Sequence, residues 1–137
     1  MSNLNIKQVI VVRNDLRSKL RHGKLGAQIA HASMASFLQG MEIEQLPYSQ
    51  VHTLKLDLDK SRHEWITGSF TKVILKCKDE EEILELYERC SRNSKIPCSL
   101  ITDSGRTVFK EPTVTCLGIG PLPESILNPI VGHLSLY

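Results

Sequence analysis

Residues 7–13, KQVIVVR, constrain this chain more than any other stretch, because Val9, Ile10, Val11 and Val12 run together without the alternation of a strand that has one wet face. A β-branched run of this kind is stable as a strand when both faces are covered, which calls for layers on either side of a sheet. The next segment supplies one cover. After a basic, glycine-containing loop, a helical period begins at Gly23 and lasts to about Gly40, with Ala27, Ala30, Met34, Phe37 and Leu38 predicted on one face. Its alanines predict close approach to the sheet.

The alternation continues downstream. LDLDKSRHEWIT predicts a second helix beginning near Asp57, residues 71–78 a strand, and residues 79–90 a helix whose acidic first turn suits the positive end of its dipole. Ile83, Leu84, Leu86 and Tyr87 are predicted on that helix's buried side. A short strand at 98–102 ends at Asp103, Ser104 and Gly105, and a strand pair is predicted at 107–109 and 113–119. Gly118 and Gly120 mark the end of a strand entering a turn, followed by a last helix at 124–133 that Pro129 interrupts, and a tail. Residues 41–69 are the least legible. The pattern predicts an α/β class: a three-layer α/β/α sandwich on a mixed, mainly parallel sheet of four to five strands. Ligands of such sheets lie beyond the carboxyl ends of the strands, so Lys24 and Asp103 are predicted on one rim.

A length of 137 residues predicts one domain over 1–137, large enough to fold without a staple. Cys77, Cys90, Cys98 and Cys116 form no CxxC pair and are predicted to be buried free thiols, so no zinc knuckle or redox motif is read from them. His22, His52, His63 and His133 show no ligand spacing either, and no metal or cofactor is predicted. The N-terminal apolar run is too short for a signal peptide and no stretch reaches transmembrane length, which predicts a cytoplasmic protein without a membrane partner. The net charge of +2 is modest but uneven. Arg13, Arg17, Lys19, Arg21 and Lys24 gather early, whereas Asp79, Glu80, Glu81, Glu82, Glu85 and Glu88 cluster on the third predicted helix.

Lys24, Gln28, His31 and Ala35 fall at i, i+4, i+7 and i+11 on the first helix and share one stripe. In the first turn, a lysine beside free N–H groups suits a phosphate, against the plainer reading of a solvated side chain. The neighbouring Arg17, Lys19 and Arg21 favour the anion. Asp103 could orient or deprotonate a water, with Thr107 a turn away to donate a hydrogen bond, although the pattern alone favours an Asx-turn in DSGRT. For His31 a satisfied, semi-buried imidazole is the commoner outcome. No GxSxG elbow, Walker loop or GxGxxG is present, so any hydrolysis would proceed by water attack.

Five segments in order, VIVVRNDL at 9–16, GKLGAQIAHAS at 23–33, SLITDSGRTVF at 99–109, LGIGP at 117–121 and GHLSLY at 132–137, resemble the type-2 peptidyl-tRNA hydrolases from the first strand to the last residue. The resemblance implies an α/β/α domain, often dimeric, that hydrolyses the ester of peptidyl-tRNA or N-substituted aminoacyl-tRNA without a cofactor and frees the tRNA. It implies a catalytic set of Lys24, Asp103, Thr107 and His31, with Asp103 positioning water, Lys24 facing the oxyanion or the terminal phosphate, and Thr107 supporting Asp103. Arg17, Lys19, Arg21, Gln28 and Arg106 are then assigned to the acceptor end of the tRNA, Gln28 and His31 also serving as supporting or packing residues. The loop at 17–22 is longer than the family's by about two residues, His22 stands where a second lysine is usual, and Gly26 replaces an alanine at a cost of roughly 1 kcal/mol of helix propensity. Residues 41–69 resemble the family mostly at EWITGSFTKV. A catalytically silent tRNA- or protein-binding adaptor on the same fold is the alternative, since the altered basic loop is where activity could be lost.

Overall fold

A computed structural model describes residues 5–42 and 54–137. Of the 41–69 stretch, residues 43–53, His52 among them, lie outside the described part. The apolar run forms β1 (Ile6–Arg13), and a 3-10 turn (Asn14–Leu16) leads toward α1 (His22–Leu38). Then come α2 (Lys60–Thr67), β2 (Lys72–Cys77), α3 (Glu80–Ser91), β3 (Cys98–Asp103), β4 (Thr113–Pro123), α4 (Glu124–Val131) and a short β5 (Ser135–Leu136). The five strands make one sheet in the order β3-β4-β1-β2-β5, with β1 in the middle, as its uninterrupted apolar character requires.

The layers follow from which residues each helix buries. Val9, Val11, Leu75, Leu117 and Ile119 pack with Ile83, Leu86 and Cys90 of α3 and Leu127, Ile130 and Val131 of α4 on one face. Ile10, Val12 and Cys116 pack with Ala32 of α1 on the other, where Phe37 and Trp65 join α1 to α2. Each fully buried aliphatic side chain of β1 contributes about 1.5–3 kcal/mol. Asp59 and Asp79 start α2 and α3 by accepting the N–H of Arg62 at 2.9 Å and of Glu82 at 3.0 Å, while Glu82 accepts the N–H of Lys78 at 2.7 Å. All four cysteines are free and buried. No helix among the described residues is long and apolar enough to cross a membrane.

The mixed α/β sheet is as expected, but its pairing is not mainly parallel. Among the described residues only β1 and β2 are parallel neighbours, whereas β4 pairs antiparallel with both β1 and β3, and β5 with β2. The reason is the short connection 104–112, which carries no crossover helix and so returns the chain antiparallel. Because β4 lies between them, β3 and β1 still run the same way, and their carboxyl ends share a rim. The strand predicted at 107–109 is absent, and Gly118 and Gly120 lie inside β4 instead of ending it.

The buried face of α1 also differs from expectation. Gln28, Ala32, Ser36 and Phe37 are buried, while Ala27, Ala30 and Met34 are exposed and Leu38 is half-buried. Small and polar residues face inward because the helix lies against the backbone of the sheet: a Cβ on Gly118 would sit 2.3 Å from the carbonyl oxygen of Ala32 and 2.9 Å from Cβ of Ser36. Hydrogen bonds hold this approach. Ser36 Oγ donates to the Gly120 carbonyl at 2.6 Å, Ser33 Oγ to Gln8 Oε1 at 2.5 Å, and Gln8 Nε2 to the Ser33 carbonyl at 2.9 Å. Gly118→Ala is therefore expected to cost about 1–3 kcal/mol by overpacking, read by urea denaturation. Native stability in that variant would contradict the spacing of α1. On α3, Leu84 is exposed rather than buried, with Cys90 inside in its place.

Candidate active site

Asp103 ends β3 with its side chain 6% exposed, on the face covered by α1. Its Oδ1 accepts the N–H of Gly105 at 2.9 Å, which is the Asx-turn favoured from sequence. Its Oδ2 faces the helix. Lys24 Nζ lies 2.5 Å from it and Gln28 Nε2 donates to it at 3.3 Å. One oxygen of Asp103 thus serves the turn, and the other faces Lys24 and Gln28 of α1. Lys24 Nζ also donates to Thr107 Oγ1 at 2.7 Å. Thr107 therefore engages Lys24 and not Asp103, a correction that follows from residues 107–109 being a bend rather than a strand.

An ammonium has three N–H donors, and Asp103 and Thr107 take two of them. Among the described residues no group takes the third, which leaves it for an oxyanion. Asp103 keeps lone pairs beyond those used by its three donors, so a water can be held beside the ammonium. The Lys24 ammonium, helped by the Gly105 N–H, holds the Asp103 carboxyl below its ordinary value against the opposing effect of burial. A lowered value means that the carboxylate is present at neutral pH and is lost only as pH falls through the depressed native value, below the ordinary carboxylate range. In Lys24→Met the carboxyl titration of Asp103, followed by 13C NMR, is expected to move up toward the ordinary value; an unchanged midpoint would contradict the pairing.

One contributor was not legible in the sequence. Thr115 is fully buried, and its Oγ1 donates to Gln28 Oε1 at 2.5 Å, which turns the Gln28 amide so that its N–H₂ meets Asp103. Strict alternation along β4 would put Thr115 on the face of Leu117 and Ile119. The register slips instead, with Ile101 opposite Cys116 but Thr102 opposite Val114, so Thr115 is the extra residue of a β-bulge aimed at α1.

A sequence model described as "Peptidyl-tRNA hydrolase PTH2" matches residues 6–137. The chain belongs to the peptidyl-tRNA hydrolase PTH2 family. Among curated relatives of that name, the protein of Methanopyrus kandleri is 45% identical over 130 residues, covering 95% of this chain and 97% of its own. The protein of Saccharolobus solfataricus is 35% identical over 131 residues, covering 96% and 98%. One from Saccharolobus islandicus is 34% identical over the same span.

Within this PTH2 member, the other residues singled out from sequence are dispersed. His31 is exposed rather than semi-buried, and near enough to Asp103 to favour its charged form. Arg17 donates to Asn14 Oδ1 at 2.8 Å and lies 3.9 Å over the Tyr137 ring. Lys19 lies 6.0 Å over the ring of Phe109, and Lys19, Arg21 and Arg106 are all exposed. Arg21 immediately precedes α1, which has no side-chain cap, and His22 adopts φ +47° there. Arg13, the most buried of the early cations, is held by Asp15 at 2.7 Å and Glu80 at 3.1 Å, which ties the basic loop to the acidic start of α3.

Proposed function

We propose that this chain hydrolyses the ester of peptidyl-tRNA or N-substituted aminoacyl-tRNA, releasing free tRNA, and that Asp103, Lys24 and Thr107 carry the reaction. The observation that supports this most directly is the ammonium of Lys24 bonded to both Asp103 and Thr107 with one donor to spare. Asp103, ionised and a weak base, orients a water toward the ester carbonyl. Lys24 meets the oxygen on which negative charge develops. Thr107 positions Lys24, and its hydroxyl proton, unused by Lys24, is directed elsewhere. Gln28 and Thr115 keep Asp103 in place. Attack by the water splits the ester to a carboxylic acid and the ribose hydroxyl of the tRNA.

Lys19, Arg21 and Arg106 are all exposed and suit the phosphates of the acceptor end, and the start of α1, with no side-chain cap, adds free N–H groups next to Arg21. Arg17, stacked on Tyr137, has a smaller part in this reading. Binding should weaken with salt by a log–log slope of roughly −0.7 to −0.9 per phosphate contact. Each of Lys19→Ala, Arg21→Ala and Arg106→Ala should make that slope shallower by about one such step, measured as KM against salt concentration; a slope unchanged in all three would remove the basic rim from the account. His31 is assigned to the electrostatic support of Asp103. The action of the chain as one domain, a cytoplasmic setting, and the homodimer that the resemblance implies belong to the same reading; sedimentation of the purified chain tests the last. Release of free tRNA from N-acetyl-aminoacyl-tRNA, with and without a chelator, tests the function itself. Binding without turnover would favour the adaptor.

A further inference from the structure

Arg13 ends β1 on the α3 side of the sheet, with its side chain 9% exposed. Four of its five N–H donors have partners. Nε and Nη2 meet the two oxygens of Asp15 at 3.1 and 2.7 Å, which fixes the plane of the guanidinium, and Nη1 reaches Glu80 Oε2 at 3.1 Å. These two carboxylates already balance the charge. Nη1 nonetheless makes a further bond, at 3.0 Å, to the carbonyl of Val114 on β4. Val114 immediately precedes Thr115, the extra residue of the bulge. A bulge interrupts the regular ladder, and here the β1 flank is open as well: the register of β1 with β4 stops at Val12 opposite Cys116, so Thr113 and Val114 pair with β3 alone. On that flank the guanidinium holds the strand in place of a ladder bond.

The tolerance of the site to movement of the bulge is set by one hydroxyl proton. Thr115 Oγ1 lies 2.5 Å from Gln28 Oε1 and 3.5 Å from the Ile101 carbonyl, and has a single proton to donate. A slip of the bulge toward β3 gives that proton to Ile101. The Gln28 amide is then free to turn its oxygen toward Asp103, repelling the carboxylate that its N–H₂ now meets at 3.3 Å. A bridge from β1 to α3 would explain the bonds of Arg13 to Asp15 and Glu80, although Glu80 is 56% exposed and such a pair adds little to stability. It gives the Val114 bond no task.

We propose that Arg13 is a positioning residue for the hydrolysis: its bond to the Val114 carbonyl holds the β4 bulge and, through Thr115 and Gln28, keeps the Asp103 carboxylate aimed at the attacking water. This rests on Asp103 acting in the reaction. Arg13→Met should lower kcat by about 10–10²-fold with KM near native, the loss that follows when a reacting group is misplaced. Should that chain fail to fold, Arg13→Lys decides: it keeps a cation beside Asp15, but one nitrogen cannot meet Asp15, Glu80 and Val114 together, so kcat should fall there too. Thr115→Val should be slowed similarly, and adding Arg13→Met to it should lower kcat by no more than about twofold further. As a control, Leu127→Ala on α4, which begins where β4 ends, should lose stability to urea at native kcat. The Gln28 side-chain amide signals in 15N NMR should shift in the Arg13 variants and stay native in Leu127→Ala. Native kcat in Arg13→Lys, or an unmoved Gln28 amide, would overturn the proposal and leave Arg13 a bridge. So would an equal loss of kcat in Leu127→Ala, which makes the effect a general softening, or losses in Arg13→Met and Thr115→Val that multiply, which routes it elsewhere. Full turnover in Asp103→Asn would instead remove the site reading, and the Gln28 amide would still report whether Arg13 sets Thr115.

Discussion

Asp103→Asn is expected to slow release of tRNA from N-acetyl-aminoacyl-tRNA by about 10²–10⁴-fold while leaving the chain folded. An amide at this position can still accept the Gly105 N–H that Oδ1 now takes, so the turn at 103–105 survives. What is lost is the anion. An asparagine N–H₂ turned toward Lys24 repels the ammonium, and the other orientation leaves no charged acceptor for water. Single-turnover rates at saturating substrate separate this from weaker binding, because a group acting on the attacking water lowers kcat and leaves KM near its native value. Turnover within a few-fold of native at unchanged circular dichroism would show that Asp103 serves the turn alone.

Lys24→Ala should be nearly as damaging to the rate, by about 10²–10³-fold, since it removes the donor assigned to the developing oxyanion. It also has a structural consequence that Asp103→Asn lacks. Asp103 would remain almost wholly buried with only Gln28 and Gly105 to satisfy it, a loss of about 1–3 kcal/mol for a charged hydrogen bond whose cationic partner is partly exposed. Urea denaturation and the turnover assay on the same preparation distinguish the two effects. A Lys24→Ala chain that is destabilised but fully active would make the pair a structural bridge and not a reaction site.

How far the sequence led depends on what each residue's role required. The strand at the centre of the sheet was legible because Val9 to Val12 admit no wet face, and the meeting of Lys24 with Asp103 followed from placing both at the carboxyl ends of strands that share a direction. The α3 boundary was legible for a local reason, an aspartate cap followed by acids. The sheet's pairing was not, since whether β4 turns back beside β3 depends on a loop without a helix, and an apolar strand reads alike in either direction. The inward face of α1 is not legible from hydrophobicity, which does not mark burial there. Here a close helix-to-backbone approach over Gly118 selects Ala32 and Ser36, and the larger Met34 is left to line an open groove. Thr115 was hidden for a different reason, a one-residue slip that reverses which way a side chain points.

The central claim is that Lys24 and Asp103 act on the ester as one unit, and a double-mutant cycle of kcat/KM over Lys24→Ala, Asp103→Asn and the combined variant tests it most directly. Residues that act together are non-additive, so the combined variant should be about as slow as the slower single one. Losses that simply multiply would show that the two groups contribute independently, and would contradict a shared site.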